Sequence, residues 1–441
     1  MNRAAQLLGG CASSGSGGGA KRIAIVGTGI TGLLAAERLC RAHEVVVFEA
    51  EDRLGGHTHT VDVQGPSGPV AIDTGFIVCN DRTYPGFLAL MKRLGVPLRP
   101  TSMGFSLRCE RSGLEYNGAD LDRLFVQRRN LLRPSFWGML RDILRFHRLA
   151  PGYGASDANL GEVLAQGRFG RAFREHYLVP MMAAIWSAEP QRLLAMPARF
   201  FVSFFQNHGM LTVADRPQWL TVLGGSRSYL APLSAPFATA VRLGCPVRRL
   251  TRCPGGVLVT AGSAPPERFD AAVVATHSDQ ALALLGDASD TERAVLGAIP
   301  YQPNDVVLHT DTRLLPVRKR AWAAWNYHLA PSPHARASVT YCMNILQGLP
   351  GPVTYNVTLN RGDAIDPAKV LRRFVYHHPV FDAAGVAAQA RVADLNGRGR
   401  VWFGGAWCGF GFHEDGVQAA LRIAADFGIG PDTVAPSESV A

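Results

Sequence analysis

Residues 22–49 read RIAIVGTGITGLLAAERLCRAHEVVVFE, and the order of their patterns decides the fold. Arg22 to Val26 is short and nearly all apolar, as expected of a parallel strand covered on both faces. It runs into Gly27-Thr28-Gly29-Ile30-Thr31-Gly32, and then into a segment whose Leu33, Ala36 and Leu39 recur at helical spacing. Gly27 permits a tight turn, Gly29 lets the backbone approach a pyrophosphate, and Gly32 lets helix and strand pack closely. The start of the helix, at Ile30 and Thr31, supplies N–H groups and a positive dipole end. A second strand, Glu44 to Phe48, ends at Glu49, 17 residues after Gly32 and close to the ~20 expected of an acid that binds a ribose hydroxyl. Glycine-rich turns also occur for packing alone, but strand, helix, second strand and terminal acid in this order point to a dinucleotide. A carboxylate at Glu49 favours a free 2′-hydroxyl over a 2′-phosphate.

Further along, Glu49-Ala50-Glu51-Asp52-Arg53-Leu54-Gly55-Gly56 resembles the E-x-x-x-R-x-G-G signature of the flavin amine oxidase and phytoene desaturase superfamily. That resemblance implies FAD, with NAD as runner-up, its pyrophosphate wrapped by Arg53, Gly55 and Gly56. His57, followed by Thr58, stands where the family has a final Arg. Asp73-Thr74-Gly75-Phe76 is similar to the family's ribityl segment, Pro246-Val247-Arg248 to its adenine turn, and Phe269 to Thr276 to its late strand. Gly404 to Leu421 resembles its C-terminal flavin motif, in which Gly405, Glu414, Gly416 and Val417 would meet the cofactor. No cysteine stands before Gly404 where covalent relatives carry one, which implies noncovalent FAD. The implied fold is α/β: an FAD-binding Rossmann-like domain of the glutathione-reductase type (21–83, 217–287 and 401–430) interleaved with an α+β substrate domain (84–216 and 288–400). Residues 1–20 and 431–441 read as flexible ends.

Five phrases carry a narrower resemblance: GGHTHTV (55–61), DTGFIVCN (73–80), YLVPMMAAIWS (177–187), FFQNHGML (204–211) and WNYHL (325–329). They are similar to a bacterial subgroup of the superfamily linked with cyclopropane-synthase-like methyltransferases. One branch of it is a flavin desaturase of furan fatty acid biosynthesis. The resemblance implies hydride transfer to flavin from a methyl-branched unsaturated acyl chain bound in a phospholipid. Two rivals stand beside it: a flavin amine oxidase, and a lipid carrier without catalysis on the same fold.

The chain has 441 residues, 47% hydrophobic and 18% charged, with formal charge +10. This composition excludes a fibre or a disordered scaffold and suits two or three domains. The longest apolar candidate, Tyr177 to Ala188, is broken by Pro180 and is too short for the ~20 residues of a membrane span. The 8 cysteines are scattered without a C-x-x-C pair, which fits a reducing compartment. Leu8-Gly9-Gly10-Cys11 has the look of a lipoprotein box, but the apolar run before it is shorter than the ~7 residues of a signal core. A cytoplasmic protein, peripheral on the inner membrane, is the expectation.

Between Arg123 and Arg148 lie seven arginines and one acid, Asp142, interleaved with aromatic and aliphatic residues. Pro134 is placed to start a helix in which Arg141, Arg145 and Arg148 share a face. Such a segment suits an anionic membrane surface, against the alternative of a solvated face. No nucleic-acid motif accompanies the arginines, and neither His57-x-His59 nor His377-His378 has the spacing of a metal ligand set.

The first insertion is helical by pattern, and its aromatics suit a core or a tunnel for an apolar substrate. The second reads as a sheet: Asp305 to His309, Ala337 to Met343 and Val353 to Leu359. Amine-oxidising members carry a lysine at the end of the first of these strands, where this chain has His309-Thr310-Asp311. His309, Asn326, Tyr327, Tyr341 and Trp407 are the candidates for the catalytic wall.

Overall fold

The computed structural model describes residues 19–186, 188–212, 216–330 and 338–430. The lead through residue 18 and the tail from residue 431, both expected to be flexible, lie outside the described residues. The chain divides into two compact units, one of 1–56, 230–296 and 391–441, the other of 57–229 and 297–390. Residues 57–83 and 217–229, assigned above to the cofactor domain, therefore pack with the second unit. Links to the insertions hold them there: Trp219–Val222 pairs with Leu98–Thr101 as well as with Val78–Asn80, and Asp73 N, at the end of the hairpin Thr60–Gly65 and Gly68–Asp73, donates to Gln347 Oε1 at 2.9 Å.

The first unit is built on five parallel strands, in the order Val241–Arg242, Glu44–Phe48, Arg22–Val26, Ala271–Val274, Val401–Phe403. Ile23, Ala24 and Ile25 are fully buried, as an all-apolar central strand requires. All ten residues of the following helix, Ile30–Leu39, are buried. It packs against the helix His413–Asp426, and glycine makes the approach possible: a Cβ at Gly416 would lie 2.8 Å from Ile30 Cγ2. A three-stranded antiparallel sheet, Val247–Cys253, Gly256–Ala261 and Glu267–Phe269, completes the unit.

The second unit contains a seven-stranded sheet in the order Val370–Pro379, Tyr301–His309, Asn356–Leu359, Ser338–Cys342, Trp325–Leu329, Phe105–Cys109, Leu114–Asn117. The last two strands come from the first insertion, which is thus not purely helical. The alternating Phe105-Ser-Leu-Arg-Cys109 runs parallel to Trp325–Leu329 on one side and antiparallel to the edge strand Leu114–Asn117 on the other. The expected strand from Val353 begins only at Asn356. Asn344 takes the intervening backbone groups instead, donating to the Val353 carbonyl at 2.9 Å and accepting from Tyr355 N at 2.7 Å. Helices Pro134–Leu149, Val179–Trp186 and Ala198–Asn207 lie in the rest of the first insertion. Among the described residues no helix is long and apolar enough to cross a membrane.

Candidate active site

In the first unit, each glycine of the first turn has a distinct physical reason. Gly27 has φ +97°, and a Cβ there would meet the Ala275 carbonyl oxygen at 2.8 Å. A Cβ at Gly32 would lie 1.9 Å from the Gly27 oxygen, so only glycine fits beneath the turn. At Gly29 a Cβ would meet no protein atom within 4 Å. Packing therefore explains Gly27 and Gly32 but not Gly29, whose bare backbone faces space suited to a ligand that must come close. No side chain caps the Ile30–Leu39 helix, whose N-cap is Gly29 itself, so its first-turn amides are presented to that space. Thr31 contributes its backbone there, since its hydroxyl donates to the Gly416 carbonyl at 2.9 Å.

Glu49 is held for hydrogen bonding. Its Oε2 accepts from Thr28 N at 2.9 Å and from the Thr28 hydroxyl, and its Oε1 accepts from Glu51 N at 2.9 Å. A carboxylate has about four acceptor sites, so one on Oε1 is left for a diol. Ala50 is exposed and offers only backbone. Arg53 donates to the Gly56 carbonyl at 2.9 Å and pairs with Glu51 at 2.8 Å, bracing the loop. Gly55 N donates to the Thr28 carbonyl at 3.1 Å, and the left-handed Gly56 (φ +54°) would bring a Cβ within 3.2 Å of Gly29 Cα. Val247 begins its antiparallel strand and is almost buried.

At the C-terminal motif, Gly405 is extended, and a Cβ there would strike Trp407 Nε1 at 2.5 Å. Trp407 is buried and donates to the Thr276 carbonyl at 3.0 Å. Asp415 closes the start of the final helix by accepting from Phe412 N at 2.8 Å, and burial pushes its carboxyl up to about 6. Glu414, nearly buried, accepts from Gln418 at 2.6 Å, and Val417 is fully buried. The donor set, the dipole end and the open face at Gly29 fit a pyrophosphate and a ribose diol.

In the second unit the chain from His57 runs beside Thr74–Phe76. Thr74 N donates to the His59 carbonyl at 2.9 Å and Phe76 N to the His57 carbonyl at 2.8 Å. A Cβ at Gly75 would lie 2.1 Å from that His57 oxygen. Thr58 is buried, with its hydroxyl bonded to Tyr229. Phe374 and Tyr376, which the sequence reading did not single out, and His378, weighed there only as a metal ligand, complete this patch and alternate along an edge strand. The Tyr376 hydroxyl is 2.7 Å from both His59 Nδ1 and Thr74 Oγ1, and His57 Nε2 is 3.4 Å from His378 Nε2. The period-two pattern Phe374-x-Tyr376-x-His378 was the available signal.

Of the five candidates for the catalytic wall, the four in the second unit are divided between the two faces of its sheet. Strand register puts Asn326 opposite Ser106 and Thr340, and Thr340 opposite Thr358, in one buried polar row. Asn326 is spent within it, accepting from Ser106 Oγ at 2.8 Å and Ala323 N at 2.9 Å and donating to the carbonyls of Ala323 and Thr340. His309 lies on the same face and is fully buried, accepting from Asp311 N at 3.1 Å through Nδ1 and meeting Thr358 Oγ1 at 2.7 Å through Nε2. Burial pulls its pKa down to about 4, so the ring is neutral at pH 7. Both are architectural by geometry.

Tyr327 and Tyr341 point to the opposite face, by alternation along their strands. The paired positions there are Phe105, Trp325, Tyr341 and Val357 in one row and Leu107, Tyr327, Val339 and Leu359 in the next. None is ionisable below the phenol range, and burial pushes both phenols further up. Tyr341 packs edge-on to Trp325 at 5.7 Å, and its hydroxyl reaches the Ala184 carbonyl at 3.4 Å, so helix Val179–Trp186 lies over this apolar face. Trp407 belongs to the first unit. A separate cavity of about 370 Å³ in the second unit, between Pro66–Ala71, Thr221–Gly225 and Gln347–Val353, is lined by none of the five.

Comparison with known proteins places these features in a family. The flavin containing amine oxidoreductase family matches residues 30–367. The Mycobacterium tuberculosis protein AofH, which carries the name of a flavin-containing monoamine oxidase, is 30% identical over 263 residues, covering 56% of this chain and 54% of that protein. The chain thus spans about half the length of the curated relatives it matches. Among solved structures, cyclohexylamine oxidase from Brevibacterium oxydans has a TM-score of 0.68 at 17% identity, covering 93% of this chain and all of the other. A CLA-producing fatty acid isomerase from P. acnes has a TM-score of 0.66 at 18% identity, covering 92% and 98%. At these identities the two structures speak to the fold alone.

Proposed function

The chain belongs to the flavin-containing amine oxidoreductase family, and from that premise we propose that it desaturates a methyl-branched unsaturated acyl chain carried on a phospholipid. FAD is its cofactor, and when bound it supplies a two-electron hydride acceptor. The observation that carries the acyl reading is the apolar face of the seven-stranded sheet. Its two central rows, from Phe105 and Leu107 across to Val357 and Leu359, hold eight side chains without a charge; five of them are buried, and the neighbouring Phe105, Trp325 and Tyr341 stay partly exposed beside helix Val179–Trp186. A lysine at the end of strand Tyr301–His309 is replaced by the neutral, buried His309. The partly exposed row Phe105, Trp325 and Tyr341 suits a hydrocarbon chain and excludes water, and it offers an ammonium group no carboxylate.

The reaction removes a hydride from an allylic carbon and a proton from its neighbour, leaving a new double bond and reduced flavin that an external acceptor such as oxygen reoxidises. The linked atoms His59 Nδ1, Tyr376 Oη and Thr74 Oγ1 are the chain's means of carrying the proton away. In support, a fatty acid isomerase shares the fold. The second reading is amine oxidation, favoured by the names of other relatives and by the edge-on pair Trp325 and Tyr341.

The two separate in one experiment. Under anaerobic conditions, phospholipids with methyl-branched monounsaturated chains should bleach the flavin and yield product lighter by two hydrogens, while a panel of primary and polyamines should not. Bleaching by an amine alone would replace the acyl reading with the amine one.

The cradle holds its ligand by backbone, dipole and hydrogen bonds. Acid precipitation of the purified protein should therefore release all flavin to the supernatant, and flavin retained in the pellet would contradict a noncovalent site.

A further inference from the structure

Ten large hydrophobic side chains are prominently exposed among the described residues, and six of them fall between residues 121 and 149: Leu121, Leu131, Leu132, Trp137, Leu144 and Leu149. Scattered exposed hydrophobics are ordinary, but a contiguous set is not. Leu132 is 87% exposed and Leu144 60%. The helix Pro134–Leu149 explains the arrangement. Phe136, Met139, Asp142 and Phe146 form its buried face, so Trp137, Arg141, Leu144 and Arg148, spaced by four, three and four residues, form the outward stripe. Trp137 Nε1 donates to the Leu131 carbonyl at 3.0 Å, which ties the turn Arg128–Leu132 to that stripe. Phe125 packs against both Phe136 and Trp137 at 5.5 and 5.4 Å, so the apolar edge is braced from behind.

Charge is sorted in the same sense. Asp142, the one acid between Arg123 and Arg148, is turned inward and accepts from Gly170 N at 2.7 Å. Arg141 and Arg148 are exposed beside the apolar stripe. Arg145 does not join them: it donates to the Gly167 carbonyl at 2.7 Å and lies over the Phe169 ring at 4.4 Å, so the expected three-arginine face holds two. Removing Arg145 would disturb the fold and would not test a surface.

We propose that Leu131, Leu132, Trp137, Arg141, Leu144 and Arg148 form the seat of this protein on an anionic lipid bilayer. The leucines enter the acyl boundary, the indole takes the interfacial level, and the guanidinium groups meet lipid phosphates. Cations border apolar residues along one helical stripe with no acid turned outward, which is the charge complement of an anionic lipid surface. The proposal deepens the acyl reading by naming where such a substrate is drawn from, and binding is measured without turnover so that each can fail alone.

The test uses the FAD-loaded protein and sedimentation with vesicles of phosphatidylcholine, with or without phosphatidylglycerol. The parent should pellet with the anionic vesicles and only weakly with the zwitterionic ones. Arg141→Glu with Arg148→Glu should lower anionic partitioning by at least about thirtyfold, from the usual attraction per basic residue, and added salt should do the same. Leu132→Ser with Leu144→Ser should weaken binding even at low salt, while Arg372→Glu on the exposed edge strand should not. Flavin absorbance and melting temperature should match the parent throughout, which separates loss of the seat from loss of fold. Equal binding by the parent and both paired variants would overturn the proposal. So would a parent that ignores anionic vesicles but elutes as a dimer that the serine variants make monomeric, which would assign the face to a second copy.

Discussion

Gly29→Val should give a folded protein that purifies colourless, whereas Gly32→Ala should destabilise the first unit itself. The two glycines stand three residues apart, and sequence pattern alone ranks them equally. Their surroundings do not. A methyl at Gly32 would sit 1.9 Å from the Gly27 carbonyl oxygen, a backbone atom that cannot give way without opening the turn. Substitution there belongs with overpacking of a closed core, which costs ~1 to 3 kcal/mol or more. The branched side chain at Gly29 meets no protein atom on the Cβ's own reach, so stability without cofactor should match that of the stripped parent. It fills the space that FAD phosphate needs, and excess FAD should not restore colour. Glu49→Ala should fall between them: loss of charged hydrogen bonds worth ~1.5 to 3 kcal/mol weakens FAD roughly ten- to hundredfold, and added FAD should rescue it. Melting curves and visible absorbance of the three variants check the set. A yellow Gly29→Val would end the assignment of that glycine to the phosphate.

Asp73→Ala should destabilise the second unit by about 3 to 5 kcal/mol. The carboxylate is buried and accepts from Thr60 Oγ1 at 2.5 Å, Ser226 N at 2.9 Å, Ser226 Oγ at 2.8 Å and Gln347 Nε2 at 3.2 Å. It thereby joins a hairpin, the turn after strand Trp219–Val222, and the end of the short helix Met343–Leu346. Truncation strands several buried donors at ~1 to 3 kcal/mol each, partly offset by relaxation. The effect should depend on pH. Burial pushes this carboxyl up to about 6, against the hydrogen bonds that oppose the shift. A raised folded pKa means that the group's stabilisation is complete below its unfolded value near 4 and is lost as pH rises through 6. The gap between parent and Asp73→Ala should therefore be wider at pH 5 than at pH 8, by roughly 1 kcal/mol. Denaturant unfolding at both values measures it, and a gap that widens toward alkaline pH would refute the linkage.

The cofactor cradle was legible because its information is local. Strand, glycine turn, helix and Glu49 follow one another within 28 residues, and each step has its own spacing rule. The catalytic wall was not legible, because it depends on which face of a strand meets which neighbour. His309 and Asn326 looked like polar groups set into a hydrophobic sheet, as site residues are. Register with Thr340 and Thr358 shows that they satisfy one another inside a buried polar row. Asp73 was visible only as part of a phrase, since its donors come from Ser226 and Gln347, more than 150 positions away in sequence. The packing of residues 57–83 was hidden for a like reason: the sheet in which Trp219–Val222 joins Val78–Asn80 to Leu98–Thr101, and the bond from Asp73 N to Gln347, are long-range facts that no window reveals.

The parallel sheet of the first unit also sets a timetable for synthesis. Its central strand Arg22–Val26 leaves the ribosome early, but one neighbour, Ala271–Val274, follows about 250 residues later, and the edge strand Val401–Phe403 later still. The helix that closes against Gly404 and Thr31 ends only at Asp426. Non-local parallel pairing of this kind is slow to form and leaves strand edges unpaired in the meantime. The second unit has all its sheet strands by Pro379 and can close first. The flavin cradle is therefore completed last, because Gly405, Glu414 and Gly416 follow every strand of both sheets, and the early pair Arg22–Val26 and Glu44–Phe48 waits longest with an open edge.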